Sequence, residues 1–167
     1  MTPLHFAAKQ GFNNVVTYLV ALDGIDVNAK TNSGWTPIHM SAMKGHNGIS
    51  SILCSHKDID IKPRDNQGNT PLHFAAAGGY CDITGLLLSN GSDINCTNNN
   101  GWTPMHSAVD KEKVDVVNFI LSQNDYDLQV KDNEGRTAFD IASPEIKEIF
   151  IQKYSELREP EKRKCRI

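Results

Sequence analysis

The chain has 167 residues, 39% of them hydrophobic, and its 17 Lys and Arg against 20 Asp and Glu give a net charge of −3. This length fits one domain, and the near-balanced charge disfavours a nucleic-acid binder that depends on a basic surface. No apolar run reaches the roughly 18 residues of a membrane span, and residues 1–14 do not have the pattern of a secretory leader.

A tetrapeptide of the form Thr-Pro-apolar-His recurs along the chain at spacings of 34, 34 and 33 residues, and a weaker copy follows after a further 34. The copies occupy residues 2–5, 36–39, 70–73, 103–106 and 137–140. Thr is a favourable N-cap and Pro is tolerated at the first helical position, so each copy predicts the start of a short helix. An apolar stripe then predicts a second helix, and a polar turn leads to the next copy.

Glycine marks the predicted end of the first helix, nine residues after each Thr, at Gly11, Gly45 and Gly79. Glycine suits the left-handed conformation that closes many helices. The fourth copy has Glu112 at this position, and retaining the left-handed conformation there is expected to cost about 1 kcal/mol. Gly85 falls inside a predicted helix and is expected to weaken it by roughly 0.5–1 kcal/mol relative to Ala.

The period, the TPxH motif and the glycine positions resemble the ankyrin repeat. The resemblance covers residues 2 to about 157 and implies an all-α solenoid of stacked antiparallel helix pairs with β-turn or hairpin tips. Repeats begin near residues 2, 36, 70, 103 and 137, which defines a repeat domain over 1–157 and a basic, flexible tail over 158–167. The chain starts inside a repeat, so we expect either an upstream repeat or an open first face. In the last copy, Ser143 and Pro144 predict the start of a polar capping helix.

The four histidines of the motif, at positions 5, 39, 73 and 106, suggest two hypotheses. A string of metal ligands is disfavoured, because stacked repeats lie roughly 8–10 Å apart whereas zinc ligands lie about 2 Å from a common centre. The resemblance implies that each histidine is buried and hydrogen-bonds to neighbouring turns. The scattered cysteines include no CxxC pair, and no nucleophile motif is present, so we predict no metal, no cofactor and no catalytic activity.

The resemblance also implies that a partner protein binds the concave face. The contact positions are the residue before each Thr, two residues near the end of each first helix, and the hairpin tips. Carried onto this chain, the predicted contact residues are Trp35, Asn69, Trp102, Arg136, Lys9, Gln10, Met43, Lys44, Asp110, Lys111, Asn66, Gln67, Asn99 and Asn100.

The only two tryptophans, Trp35 and Trp102, occupy the same repeat position two repeats apart, roughly 20 Å along the stack. Ala77 and Gly78 are expected to leave a shallow notch between them. Asn69 and Arg136 hold the same position in other copies, so folding does not demand an apolar side chain there. We therefore predict that both tryptophans are binding hot spots, with packing against a neighbouring turn as the alternative. A small positive excess on this face suggests a mildly acidic partner.

These patterns favour a non-catalytic interaction module, acting as a scaffold, adaptor or inhibitor in the cytoplasm or nucleus. One alternative is a regulatory domain of a larger enzyme or channel, of which this chain is a fragment. Another is a contact between the basic tail and an acidic surface or nucleic acid. The identity of the partner is not predicted, and no small-molecule substrate is expected.

Overall fold

The computed structural model describes the backbone of residues 1–164 and the side chains of residues 1–155. Within these residues the chain is helical and has no extended strand, which confirms the all-α fold. The helices are α1 (Pro3–Gln10), α2 (Asn13–Val20), α3 (Pro37–Lys44), α4 (Asn47–Cys54), α5 (Pro71–Gly78), α6 (Cys81–Ser89), α7 (Pro104–Asp110), α8 (Val114–Leu121), α9 (Ala138–Ile141) and α10 (Pro144–Lys164).

Each odd-numbered helix begins at the residue after a repeated Thr, whose backbone is extended. In the first four copies the Thr N–H donates to Nδ1 of the motif histidine, over 3.1 to 3.2 Å. This bond satisfies one of the donors that a helix start leaves free. In the fifth copy, Asp140 replaces histidine, and its carboxylate accepts the same bond from Thr137 at 2.8 Å.

The first helices end where the glycine pattern predicts. Gly11, Gly45 and Gly79 have φ angles of 83°, 74° and 82°. Glu112 has a φ of 53° and is the one non-glycine residue of the described chain with a positive φ. The left-handed position is therefore kept in the fourth copy without glycine, which places a side chain in a conformation that L-residues avoid.

The helices stack in two rows. Helices α1, α3, α5, α7 and α9 contact one another in succession, and α2, α4, α6, α8 and α10 form the second row. Apolar side chains between the rows, such as Leu72, Ile83 and Leu87, are at most 1% exposed. The buried apolar residues form two clusters along the stack, one over the first three repeats and one from the third repeat to α10. Each repeat thus buries its apolar face against its neighbours.

The two ends of the stack differ from its middle. Val15 is 45% exposed, whereas Ile49 and Ile83, at the same position in the next two copies, are 0% and 1% exposed. At the other end, Pro144 begins α10 as predicted, but the expectation of a polar cap is wrong in part because Ile151 and Tyr154 of that helix are exposed.

The predicted boundary between domain and tail, at 157/158, falls within α10. The side chains after residue 155 and the whole of residues 165–167 lie outside the described part of the chain. That residues 158–167 form a flexible basic tail stays a prediction.

Candidate functional site

A groove runs beside the hairpin tips where repeats three and four meet. It encloses a cavity of about 440 Å³. Its lining, which we call the hairpin groove, contains many of the predicted contact residues and consists of Asn66, Gln67, Asn69, His73, Phe74, Ala77, Asn98, Asn99, Asn100, Trp102, Ser107, Asp110 and Lys111.

Trp35 lines a neighbouring cavity of about 660 Å³, which shares Asn66 and Gln67 with the hairpin groove. The other predicted contact residues, which line neither cavity, are Lys9, Gln10, Met43, Lys44 and Arg136. The structure thus gathers the predicted contact residues of repeats three and four around the hairpin groove and leaves those of repeats one, two and five outside it.

Trp102 is half-buried and lines the hairpin groove. Its ring stacks on that of His106, with the centroids 6.5 Å apart. Its backbone serves the fold, because the N–H donates to Asn98 Oδ1 at 3.0 Å and the carbonyl lies 2.8 Å from His73 Nε2. The position is therefore held by the backbone while the side chain borders the groove.

Trp35 is also half-buried, but its ring packs against Phe74, with the centroids 4.7 Å apart, and against the hydrophobic core. The packing alternative therefore applies to Trp35 to a greater extent than to Trp102. Phe74, which the sequence analysis missed, contacts Trp35 of the neighbouring cavity and itself lines the hairpin groove. The sequence feature that could have indicated Phe74 is its place directly after the motif histidine, where the first copy has Phe6.

The asparagines of the hairpin tips join one repeat to the next. Asn66 Nδ2 donates to the carbonyl of Asn32 at 2.9 Å, and Asn99 Nδ2 donates to the carbonyl of Asn66 at 3.1 Å. Asn133 continues the ladder with a 2.8 Å bond to the carbonyl of Asn99. The backbones pair too, since the Asn99 N–H donates to the carbonyl of Gln67 at 3.0 Å. Asn66 and Asn99 therefore have a structural role that sequence reasoning did not assign.

A Cβ on Gly68 would lie 2.4 Å from Asn99 Oδ1, and one on Gly34 would lie 2.7 Å from Asn66 Oδ1. Both glycines also have positive φ angles, 77° and 80°. Gly34 and Gly68 are thus required for two reasons. The turn needs a positive φ, and the asparagine of the next repeat leaves no room for a Cβ.

Three of the hairpins are closed by a side chain, that of Asp65, Asn98 or Asp132, which accepts two backbone N–H groups, whereas Thr31 in the first hairpin accepts one. Asp132 Oδ1 accepts from Glu134 and Arg136, both at 2.9 Å, and the Arg136 guanidinium binds the second oxygen at 2.8 Å. Burial raises the pKa of Asp132, but hydrogen bonds from Arg136 and Glu134 outweigh it and lower this pKa to about 2. Asp65 accepts two N–H groups in the same way in the third copy.

Most of the charged side chains at the predicted contact positions and hairpin tips are paired with one another. Arg136 also bridges to Glu134 at 2.9 Å, and Lys111 bridges to Asp110 at 3.1 Å. Asp132, which the sequence-based charge balance did not include, offsets Arg136 further. With Asp132 counted, the positive excess that suggested a mildly acidic partner falls from two charges to one. Among the described residues Lys9 and Lys44 form no ion pair, and both lie outside the hairpin groove.

The motif histidines are buried and fully hydrogen-bonded. In the third copy, Nδ1 of His73 accepts from the Thr70 N–H at 3.2 Å, so Nε2 carries the proton and donates to the carbonyl of Trp102. Burial lowers the pKa of His73 to about 4, against smaller opposing effects. This arrangement opposes the metal hypothesis because both ring nitrogens already have partners.

Among the described residues, neither Cys54 nor Cys96 has surroundings that would activate its thiol. Cys96 Sγ lies 3.9 Å from His73 Nδ1, the acceptor nitrogen of a neutral ring. Burial raises the pKa of Cys96, and it raises that of Cys54 to about 11. These thiols are therefore protonated at neutral pH and are poor nucleophiles.

Comparison with known families agrees with this architecture. A family model described as ankyrin repeats in three copies matches residues 4–98, and another described as ankyrin repeats in many copies matches residues 87–142. The chain belongs to the ankyrin repeat family, whose members are in general protein–protein interaction modules. A search of the curated proteins found no match to the chain. Among the helices of residues 1–164, none has both the length and the apolar character needed to cross a membrane.

Proposed function

We propose that this chain is a non-catalytic interaction module that binds a partner protein on its concave face, at the hairpin groove. The observation that carries the proposal is the juxtaposition of Trp102, Phe74 and the hairpin amides around one cavity. Trp and other aromatic side chains contribute large contact areas at little entropic cost and are enriched at binding hot spots.

Two features support a non-catalytic role. The motif histidines are buried and committed to the fold, as for His73 between Thr70 and Trp102. The thiols of Cys54 and Cys96 are held protonated by burial.

An intracellular location, cytoplasmic or nuclear, is part of the same proposal, because Cys54, Cys81 and Cys96 are all free and free thiols persist in reducing compartments.

A photo-crosslinking amino acid at position 100 tests the proposal in cells of the source organism. Asn100 borders the hairpin groove, whereas Asn124, an asparagine that is also exposed and lines a separate cavity, provides the matched control position. We expect a discrete crosslinked protein from position 100, none from position 124, and loss of the adduct when Trp102→Ala is added. Equal adducts from both positions, or adducts that persist in the Trp102→Ala background, would contradict the proposal.

A further inference from the structure

The four hairpins differ in the residue that closes them. This closing residue lies five positions before the Thr of the motif, and it is aspartate in the third and fifth copies but neutral in the second and fourth. The residue directly before the Thr, which we call the pre-Thr residue, varies with it. It is polar where the closing residue is aspartate, and it is tryptophan where the closing residue is neutral. The closing and pre-Thr pairs are Thr31–Trp35, Asp65–Asn69, Asn98–Trp102 and Asp132–Arg136.

The hydrogen bonds of the two aspartates give a physical reason for this pairing. Asp65 and Asp132 are 7% and 6% exposed, and one oxygen of each accepts two backbone N–H groups. The second oxygen of a buried carboxylate is costly to leave without a donor. In the third copy Asn69 Nδ2 donates to Asp65 Oδ2 at 3.3 Å. In the fifth copy the Arg136 guanidinium donates to Asp132 Oδ2 at 2.8 Å. Both polar pre-Thr side chains are therefore used by the fold.

The neutral closing residue Asn98 does not need a donor from the pre-Thr side chain. Its Oδ1 accepts from the N–H groups of Asn100 and Trp102, at 2.9 and 3.0 Å. Its Nδ2 donates across the repeat junction to Asn69 Oδ1 at 2.8 Å. Within the described residues the indole N–H of Trp102 forms no hydrogen bond, and no buried side-chain nitrogen is left without a partner. This indole N–H is therefore open to solvent.

The second copy also has a neutral closing residue, but its tryptophan ring is already in contact with another repeat. Thr31 Oγ1 accepts the Trp35 N–H at 3.1 Å, and the Trp35 ring packs on Phe74 of the next repeat. The Trp102 ring stacks on His106 of its own repeat. Of the four pre-Thr side chains in the described part of the chain, that of Trp102 alone has neither a hydrogen bond to its hairpin nor a ring contact with another repeat.

We propose, on the basis of the proposed function, that Asn98 is the specificity-determining residue of the hairpin groove. Because Asn98 is neutral, it closes the hairpin without binding the Trp102 indole and without placing a negative charge beside it. The indole N–H has to gain a hydrogen bond when a partner covers it, so the partner presents an acceptor at this point. A carboxylate at position 98 would repel that acceptor and would itself be costly to desolvate.

The adduct from the photo-crosslinking amino acid at position 100 tests the effect of Asn98 on binding. Asn98→Asp keeps the size of the side chain and adds a charge, whereas Asn98→Thr copies the neutral closing residue of the second copy. We expect Asn98→Asp to lower the adduct yield at least about tenfold more than Asn98→Thr does. Asn124→Asp adds the same charge at an exposed position outside the groove, and it should leave the yield unchanged.

A double-mutant cycle in urea unfolding tests the pairing rule without a partner. In the wild-type background Asn98→Asp should lower the unfolding midpoint, because the new carboxylate oxygen faces another acceptor, Asn69 Oδ1. In the Trp102→Arg background the same substitution should raise the midpoint, because the two changes together reproduce the pair of Asp132 and Arg136. This reversal of sign distinguishes the pairing rule from a general effect of charge.

Equal effects of Asn98→Asp and Asn98→Thr on the adduct, or additive changes of the midpoint in the cycle, would each overturn the inference. A higher adduct yield with Asn98→Asp would also overturn it, because it would indicate a cationic partner. The two proposals fail separately. Absence of any adduct from position 100 in the wild-type background contradicts the proposed function. A Trp102-dependent adduct that Asn98→Asp does not reduce leaves the proposed function intact and excludes the role of Asn98.

Discussion

At the residue scale, the repeated histidine is the clearest case of a side chain whose pattern suggests metal binding or catalysis but whose role is structural. His39 and His73 each connect the Thr of their own repeat to a backbone carbonyl of the next, at Asn69 and Trp102. Two hydrogen bonds and nearly complete burial make the ring part of the inter-repeat interface. The same bonds repeat down the stack, so each histidine reinforces one junction between neighbours.

Replacement of a motif histidine should therefore destabilise the fold. We expect His39→Ala and His73→Ala each to lower the free energy of unfolding by roughly 1–3 kcal/mol, because each leaves a buried carbonyl and the Thr N–H unpaired. Urea unfolding measures the change, and His56→Ala, at a partly exposed position, is the control. A metal chelator should not alter the unfolding midpoint, and a chelator-dependent drop would revive the metal hypothesis.

The same histidines make stability depend on pH. Burial lowers the pKa of His39, His73 and His106, that of His73 to about 4 from 6.5. Between those two values the unfolded chain binds more protons than the folded one, so stability falls as the pH drops from 6.5 towards 4. His73 alone accounts for a loss of up to about 3 kcal/mol.

A second loss belongs to Asp132, whose pKa of about 2 lies below the ordinary 3.8. Its stabilising effect is complete above pH 3.8 and disappears as the pH falls towards 2, a separate and lower window. Urea unfolding at a series of pH values should show stability declining through the histidine window first. A free energy of unfolding that stays constant between pH 6.5 and 4 would show that the histidines are not held neutral by the fold.

At the scale of single elements, two departures from the repeat pattern have different physical outcomes. Gly85 lies within α6, where glycine is unfavourable, but a Cβ there would come within 3.2 Å of Phe119 Cζ in α8. The glycine thus accommodates the ring of the next repeat. Glu112, in contrast, keeps a left-handed φ of 53° with a side chain that nothing in the structure requires.

Glu112→Gly should therefore stabilise the protein. The left-handed strain of roughly 1–2 kcal/mol is relieved, and the greater freedom of glycine in the unfolded chain offsets about half of it. We expect a gain of about 0.5–1 kcal/mol in urea unfolding. Glu112→Ala removes the same carboxylate but keeps a Cβ, and should show no such gain. Equal effects of the two substitutions would mean that side-chain charge, rather than backbone strain, decides the outcome.

At the scale of the whole molecule, the interfaces between repeats are not equivalent. Asn28 Nδ2 donates to the Asp58 carbonyl at 2.7 Å and joins repeats one and two, and Asn95 makes the same bond to Asp125 between repeats three and four. The second repeat has Lys62 at this position. The first repeat gains this clamp on one side only and exposes Val15 on the other.

Hydrogen exchange should reveal this asymmetry. Amides of α1 and α2 should exchange fastest among the first four repeats, because a terminal repeat has one stabilising neighbour instead of two. Amides of α5 and α6 in the third repeat should be among the most protected. Mass-spectrometric exchange on the intact chain resolves the two regions, and equal protection of the first and third repeats would contradict this account of the stack.

Much of the fold could be predicted from the sequence because the motif carries local physics. Thr and Pro specify a helix start and glycine specifies its end, and the recurrence of both at a fixed period implies stacking. The candidate site could be predicted less well from the sequence. The charge balance omitted Asp132, which pairs with Arg136, and Phe74 was missed because its contact with Trp35 joins residues of different repeats. Such contacts depend on how neighbours stack, which no single repeat encodes.

Trp35 and Trp102 occupy equivalent positions in the sequence repeat, but their side chains have different surroundings in the structure. The ring of Trp35 packs on Phe74 and the core, whereas that of Trp102 borders the cavity. We expect Trp35→Ala to cost more than about 1 kcal/mol of stability and Trp102→Ala to cost less. Trp102 is therefore the residue at which the proposed binding role is best separated from folding.

The most direct test of the proposed binding surface measures the affinity for the partner and the stability of the fold for Trp102→Ala. The crosslinked partner, once purified, is titrated against the wild-type chain and the variant, and urea unfolding of both chains is recorded under the same conditions. The account predicts that the variant loses about 2 kcal/mol or more of binding free energy, roughly a 30-fold weaker affinity, while its stability changes by less than about 1 kcal/mol. Unchanged affinity, or a loss of affinity matched by a comparable loss of stability, would contradict it.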